Sequence, residues 1–484
     1  MPRRITLLFF LPLLFLLFFS GSIHAQASAK VIRKLNQDPV IATTDANKSY
    51  RILFDAYLDL SPPPMTVGDA FNLTTIHAKM NGWAAVSGWG EANPHMAEAI
   101  HESKMKLVFG LPYGDDNLSK NDRDAGLYAI IGGVEQREHD FAYLQAIDTM
   151  AAWATAEAYR RFEAKQSDEA IELAVDMLYI LRQCCDRIFL EEKNHHIELL
   201  ADALSVFRDM MYVYRDSISI EVLQRITKSE APLLRPGRRK LLMPEGDRVV
   251  AEALLRSVFD ERLGGADPEK FAATFSSIQS QQAPLTRFGA ARRWEMIALE
   301  HGSLDASLER MELIYDDWWR RWRIQEYDPL LDLETEFERT NPVRYAAVIH
   351  GTRNLGEIFN LRMRLIMEVN ATAVAAALAH YHNSLGTDPN NKEKVYGSPL
   401  RKSSDVDPYD TEWAGLQFKR VSSRTAVDTG VGRIWIPRGT GMLWSVGQNH
   451  EDDGCEEHTD DGVRGDILIW PPPRALAREQ DLIE

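Results

Sequence analysis

The densest collection of groups able to do chemistry lies near the end of the chain. Between Asn449 and Asp466 stand Glu451, Asp452, Asp453, Glu456, Glu457, Asp460 and Asp461, with Gly454, Gly462 and Gly465 among them. Calcium takes six to eight oxygen ligands at about 2.3–2.6 Å, and acidic loops turned by glycine supply them. Without a cation, carboxylates packed this closely repel one another. The expected ligands are Asn449, Asp453, Asp461 and Asp466, although their spacing is not that of an EF-hand loop. The competing expectation is a solvated acidic loop, as most charge runs are.

Other constellations are weaker. His95, Glu98, His101 and Glu102 share one predicted helix, but His95 and His101 fall about 120° apart around it, too splayed for a compact zinc site. Glu191–His195 and Glu192–His196 have the i,i+4 spacing of surface ion pairs as well as of ligands, with Glu198 nearby. A zinc or di-iron centre would need matching ligands from other helices, and none can be assigned. Ser103-x-x-Lys106 has the spacing of a penicillin-recognising nucleophile without the Lys-Thr-Gly or Ser-Asp-Asn partner. There is no His-Glu-x-x-His, Gly-x-Ser-x-Gly, phosphate loop or dinucleotide fingerprint. In Asp316-Asp317-Trp318-Trp319-Arg320-Arg321-Trp322, spacing pairs Asp316 with Arg320 and Asp317 with Arg321, and sets Trp319 beside arginines. A glycan or peptide platform is one reading of that segment. Core packing with snorkelling arginines is the other.

Apolar spacing shows which elements must carry these groups. Ile171, Ala174, Val175, Leu178 and Leu181 make one helical stripe. Leu200, Leu204, Phe207, Met211 and Tyr214 make a second, and Leu308, Met311, Tyr315, Trp318 and Trp322 a third. Such stripes must be buried against other helices. Asp148 to Ala164 and Asp168 to Arg182 read as an antiparallel hairpin similar to one tetratricopeptide-type unit, with no 34-residue repeat beyond it. Pro232, Pro236-Gly237 and Pro244, with Arg235, Arg238, Arg239 and Lys240 between them, mark a break near 230–246. The stretch before Phe141 is less regular and is expected to wrap the helical core. Asn354 to Ser384 reads as one long helix. After it come short β-type runs at Phe418, Ile434–Ile436, Leu443–Val446 and Ile467–Trp470, separated by glycines.

The N-terminus has the layout of a secretory leader over 1–27: Arg3-Arg4, an apolar run from Ile5 to Phe19 and Ala25-Gln26-Ala27. The run is shorter than the ~20 residues of a spanning helix, and an uncleaved anchor is the alternative. The net charge is −16, and −18 once Arg3 and Arg4 leave with the leader, which argues against nucleic acid as a partner. Of the three cysteines, Cys184 and Cys185 are adjacent, so at most one disulfide, to Cys455, is expected.

The order of motifs after the long helix resembles the soluble part of the type II secretion major pseudopilin. Ala379-His-Tyr381 ends the helix, Asp407-Pro408-Tyr409 makes a turn, and Leu443-Trp-Ser-Val-Gly447 leads through the acidic loop to Gly465-Asp466-Ile467. The resemblance covers 353–484 and implies a helix-plus-sheet module with a calcium loop. Asp410 stands where that family has glycine after the turn, and Asn449-His450 where it has Asp-Gly. The prepilin cleavage motif and the hydrophobic helix that packs pilin filaments are not found here. As a whole, with Leu111-Pro-Tyr-Gly114 and Trp470-Pro-Pro-Pro473, the chain is similar to exported bacterial helical proteins of unknown function. The expected fold is mainly α: an irregular segment at 28–140, a helical body at 141–352, and a long helix with a small antiparallel sheet at 353–484. The expected function is that of an exported periplasmic or extracellular structural or interaction protein, with unknown protein partners and no membrane span after leader cleavage. The rival is an exported peptidase or glycosidase with dispersed carboxylates in the helical body.

Overall fold

The computed structural model describes residues 29–483 except 66–71, 117, 133–138, 231–240, 261–263, 283–288 and 397–404. The leader at 1–27 and the basic run at 235–240 lie outside these residues. The fold is mainly α with a small antiparallel sheet near the C-terminus. The principal helices are α1 (Tyr50–Leu58), α2 (Trp83–Ala92), α3 (His95–Lys104), α4 (Tyr143–Glu163), α5 (Ser167–Cys184), α6 (Leu190–Val213), α7 (Gly246–Val258), α8 (Pro268–Gln282), α9 (Ala290–Glu300), α10 (Leu304–Trp322), α11 (Gly356–Leu385) and α12 (Pro473–Glu479). None is long and apolar enough to cross a membrane.

The helical stripes read from the sequence are the buried faces. Ile171, Val175, Leu178 and Leu181 of α5, Leu200, Leu204, Phe207 and Met211 of α6, and Met311, Tyr315, Trp318 and Trp322 of α10 are all buried. The α4–α5 hairpin turns at Lys165, which sits at φ 62. Ser303 caps α10 by accepting from the Ala306 N–H at 3.2 Å, and Gly386 ends α11 in the left-handed conformation. One hydrophobic cluster runs from Val31 to Ala477.

At its centre α6 packs along α11. Ala371, Ala373, Val374, Ala375, Ala376, Ala377 and Ala379 are buried on every side of α11, the pattern of a helix enclosed by protein. Small side chains let the backbones approach, and Arg208 crosses the seam to Glu368 at 2.5 Å and to Thr372 Oγ1 at 2.9 Å. Apart from a short antiparallel ribbon that pairs Ile130–Ile131 with His139–Asp140, the strands lie near the C-terminus: β1 (Gln417–Arg420), β2 (Thr425–Thr429), β3 (Gly432–Ile436), β4 (Gly441–Ser445) and β5 (Ile467–Trp470). They form two assemblies: an antiparallel sheet in the order β1-β4-β5, and a separate β2-β3 hairpin. The sequence runs locate β1, β3, β4 and β5 and miss β2, whose Thr-Ala-Val-Asp-Thr is half polar and only partly buried. Central β4 and edge strand β5 are both buried along their whole length.

The module is fastened to the body by charge as well as by packing. Buried Asp209 of α6 accepts from Arg474 at 3.2 Å and Arg478 at 3.3 Å of α12. Arg478 also donates to the Thr74 carbonyl at 2.6 Å. All three cysteines are free and buried, so the single disulfide allowed for Cys455 does not form. Cys184 and Cys185 lie where α5 ends, and Cys455 lies in the C-terminal loop.

Candidate functional site

The acidic loop leaves β4 at a point fixed by two glycines. Gly447 (φ 73) and Gly462 (φ 67) lie back to back: a Cβ on Gly447 would stand 2.6 Å from the Gly462 carbonyl oxygen, and one on Gly462 2.7 Å from Gly447 Cα. Any side chain at either position pushes the two ends of the loop apart. Asp407, buried in the Asp-Pro-Tyr turn, anchors the same corner. It accepts from the Tyr409 N–H, from Ser445 Oγ at 2.9 Å and from the Val446 N–H at 3.0 Å. Burial pushes its carboxyl up to about 6 despite those donors.

Inside the loop Asp466 is wholly buried. Its Oδ2 accepts from the Cys455 N–H at 2.6 Å, and no N–H or hydroxyl donor of the described residues reaches its Oδ1. The Asp453 carboxylate lies against it. Burial first, then a proton shared with Asp453 and the charges of Asp453 and Asp452, push the Asp466 carboxyl up to about 8. Asp453 Oδ1 accepts from the Glu456 N–H at 2.9 Å, and Asp452 Oδ1 accepts from Trp444 Nε1 at 2.9 Å. The Lys419 ammonium lies over the Trp444 ring, 5.0 Å from its centre, and donates to the Gly454 carbonyl.

Of the four expected ligands, the structure brings Asp453 and Asp466 together. Asn449 Oδ1 takes the Glu451 N–H at 3.3 Å and exposed Asp461 Oδ1 takes the Val463 N–H at 3.1 Å, both serving local turns. Among the described residues no three His, Cys, Asp or Glu side chains form a group that could hold a metal. A cation between Asp453 and Asp466 would complete its shell with backbone carbonyls and water, which calcium accepts.

The other sequence candidates resolve into structural roles. His95 pairs with the Ala56 carbonyl, while His101 pairs with Asp176 at 2.7 Å. Ser103 is fully buried, and Lys106 reaches Glu102 at 3.5 Å rather than the serine. The two i,i+4 pairs of α6 split between faces: Glu191 and His195 point outward to Arg353 and Asp148, whereas Glu192 and His196 point inward. On α10, Asp317 pairs with Arg321 at 3.1 Å. The expected Asp316–Arg320 pair does not form; both side chains are exposed and line a cleft of about 250 Å³ against the 330–339 segment. Exposed to water, such a pair gains too little to order two flexible side chains. Trp319 hydrogen-bonds Glu245 and lies 5.9 Å from the Arg323 guanidinium.

Sequence reasoning missed a buried polar network at the start of α6. The Glu192 carboxylate accepts from Tyr113 Oη at 2.6 Å, Tyr143 Oη at 2.7 Å and Arg187 Nε at 2.8 Å. Arg187 stacks over the Tyr113 ring at 4.2 Å. The Lys193 ammonium, with no exposed surface, donates to the Cys185 carbonyl at 2.6 Å, and burial pushes its pKa down to about 8. Burial likewise pushes the His196 imidazole well below its ordinary value. Tyr113, Tyr143 and Arg187 come from separate segments, so no local spacing announces their meeting.

Comparison with protein-family models, with curated proteins and with solved structures finds no match to this chain.

Proposed function

We propose that the chain is an exported structural or interaction protein without an identifiable catalytic motif, whose C-terminal module is stabilised by a divalent cation, calcium being the expected one. The observation that carries the cation is Asp466: a wholly buried carboxylate with one oxygen that no N–H or hydroxyl donor reaches and a second carboxyl group, Asp453, against it. Buried like charges are costly unless a proton or a cation stands between them. The pseudopilin resemblance supports calcium. So does Asp407, which ties the Asp-Pro-Tyr turn to the end of β4. The hydrolase reading draws less support. Among the described residues of the helical body, the carboxylate with the most hydrogen-bonding partners is Glu192, which is wholly buried beneath Tyr113 and Tyr143.

Thermal unfolding with calcium and then with chelator tests the proposal. Calcium at one hundred times its dissociation constant is expected to add ~2.7 kcal/mol of stability. Asp466→Asn is expected to abolish that gain and to raise the melting temperature in chelator at neutral pH, because folding then no longer has to take up a proton between two buried carboxyls. A wild-type melting temperature indifferent to calcium removes the cation from this function.

A further inference from the structure

Trp413 is the most exposed tryptophan of the described residues, at 65 %, and its backbone stands at φ 53, in the left-handed region. Exposure and backbone strain both oppose folding for so large a residue, and strain of this kind concentrates at functional positions. The turn that carries it is braced on each side. Asp410 accepts from the Glu412 N–H at 2.9 Å and the Ala414 N–H at 2.7 Å. Gly415 (φ 80) is pressed so close that a Cβ would lie 2.6 Å from the Asp405 carbonyl oxygen. The indole itself is held, because Nε1 donates to the Tyr327 carbonyl at 3.2 Å.

Tyr327 extends the feature. Its ring meets the His450 ring edge-on at 5.1 Å. His450 is a second left-handed residue (φ 61), pinned through Nδ1 to the Tyr409 carbonyl at 2.6 Å. The Tyr327 hydroxyl donates to Asp332 Oδ2 at 3.0 Å, and Asp328 Oδ1 accepts from the Leu330 N–H. Both aspartates are exposed. The result is an exposed indole, its N–H used internally, seated on the backbone of a segment that also carries the Tyr327 ring and the exposed Asp328 and Asp332 carboxylates.

We infer that Trp413, with Tyr327, Asp328 and Asp332 beside it, is a binding platform for a saccharide. A pyranose stacks its C–H face on an aromatic ring while its hydroxyls donate to carboxylates at the ring's border. The Trp413 indole N–H is already used, so the ring offers its face rather than its edge. Among the described residues no other ring faces Trp413, so it is an open platform and not the walled aromatic cage that holds a quaternary ammonium. The net charge of −16 and the flanking aspartates turn away phosphorylated ligands. The platform uses none of the residues that would hold the cation proposed at Asp453 and Asp466.

The test is affinity electrophoresis and calorimetry of the whole chain against a panel of neutral and amino-sugar oligosaccharides. One class is expected to bind. Trp413→Ala should weaken it at least about tenfold, as loss of a central aromatic anchor does, and Trp413→Tyr should retain part of the affinity. Trp413→Gly relieves the left-handed backbone, so it should lose binding while melting no lower than wild type, which separates a ligand role from a folding role. Failure of every saccharide to bind overturns the inference. Unchanged binding by Trp413→Ala, or an effect of that variant confined to self-association or protein capture, does the same.

Discussion

Lys193→Met isolates the energetic consequence of the buried network. The native ammonium titrates at about 8 against 10.5 in an accessible lysine, because it has no contact with water. Below pH 8 both folded and unfolded chains carry the proton, and the folded state bears the whole desolvation cost. Between pH 8 and 10.5 the unfolded chain binds the extra proton, so stability rises with pH at about 1.4 kcal/mol per unit, about 3 kcal/mol in all. Methionine fills nearly the same space without charge. Its substitution leaves the Cys185 carbonyl without the ammonium donor, at a cost of about 1 kcal/mol. At pH 7 Lys193→Met should therefore be more stable than wild type by about 2 kcal/mol. By pH 9.5 wild type should have recovered about 2 kcal/mol relative to the variant, closing the gap. Urea unfolding of both proteins at the two pH values, followed by circular dichroism, measures this difference directly. Titrations common to both proteins cancel. A stability difference independent of pH refutes the argument, as does a variant less stable than wild type at pH 7.

Two further outcomes follow from buried charge. Glu192→Leu alone should cost about 3–5 kcal/mol, because Arg187 is left as an uncompensated buried cation, whereas the double replacement Arg187→Met with Glu192→Leu should recover most of that loss in the same urea titrations. Asp209→Ala should release α12, since Arg474 and Arg478 both converge on it. Limited proteolysis should then cut the chain near its C-terminus faster, together with a loss of about 3–5 kcal/mol in global stability.

Much of the helical body is legible in single stripes of sequence. Met311, Tyr315, Trp318 and Trp322 recur at helical intervals and are buried because an apolar stripe has nowhere else to go. The β runs are legible for a similar reason, but their arrangement is not. Nothing local distinguishes Ile434–Ile436, which pairs only in a hairpin, from Leu443–Ser445, which sits in the middle of a sheet. The acidic loop announces itself by composition, yet composition does not say which carboxylates meet. Asp453 and Asp466 come together because Gly447 and Gly462 bring the two ends of the loop into backbone contact. Asn449 and Asp461, of equally suitable type, are spent on their own backbone N–H groups.

The sequence by itself determined the helical class of this protein, the late change to strands, and the place where negative charge collects, because periodicity and composition are local and the hydrophobic effect acts on them wherever they occur. Only the tertiary structure decided which polar groups are sealed from water. Glu192 and Glu191 are neighbours in the chain, but one is enclosed with Arg187, Tyr113 and Tyr143 and the other meets Arg353 at the surface. The physical reason is that the charge state and exposure of a side chain depend on segments distant in sequence, brought together by packing that no single segment encodes.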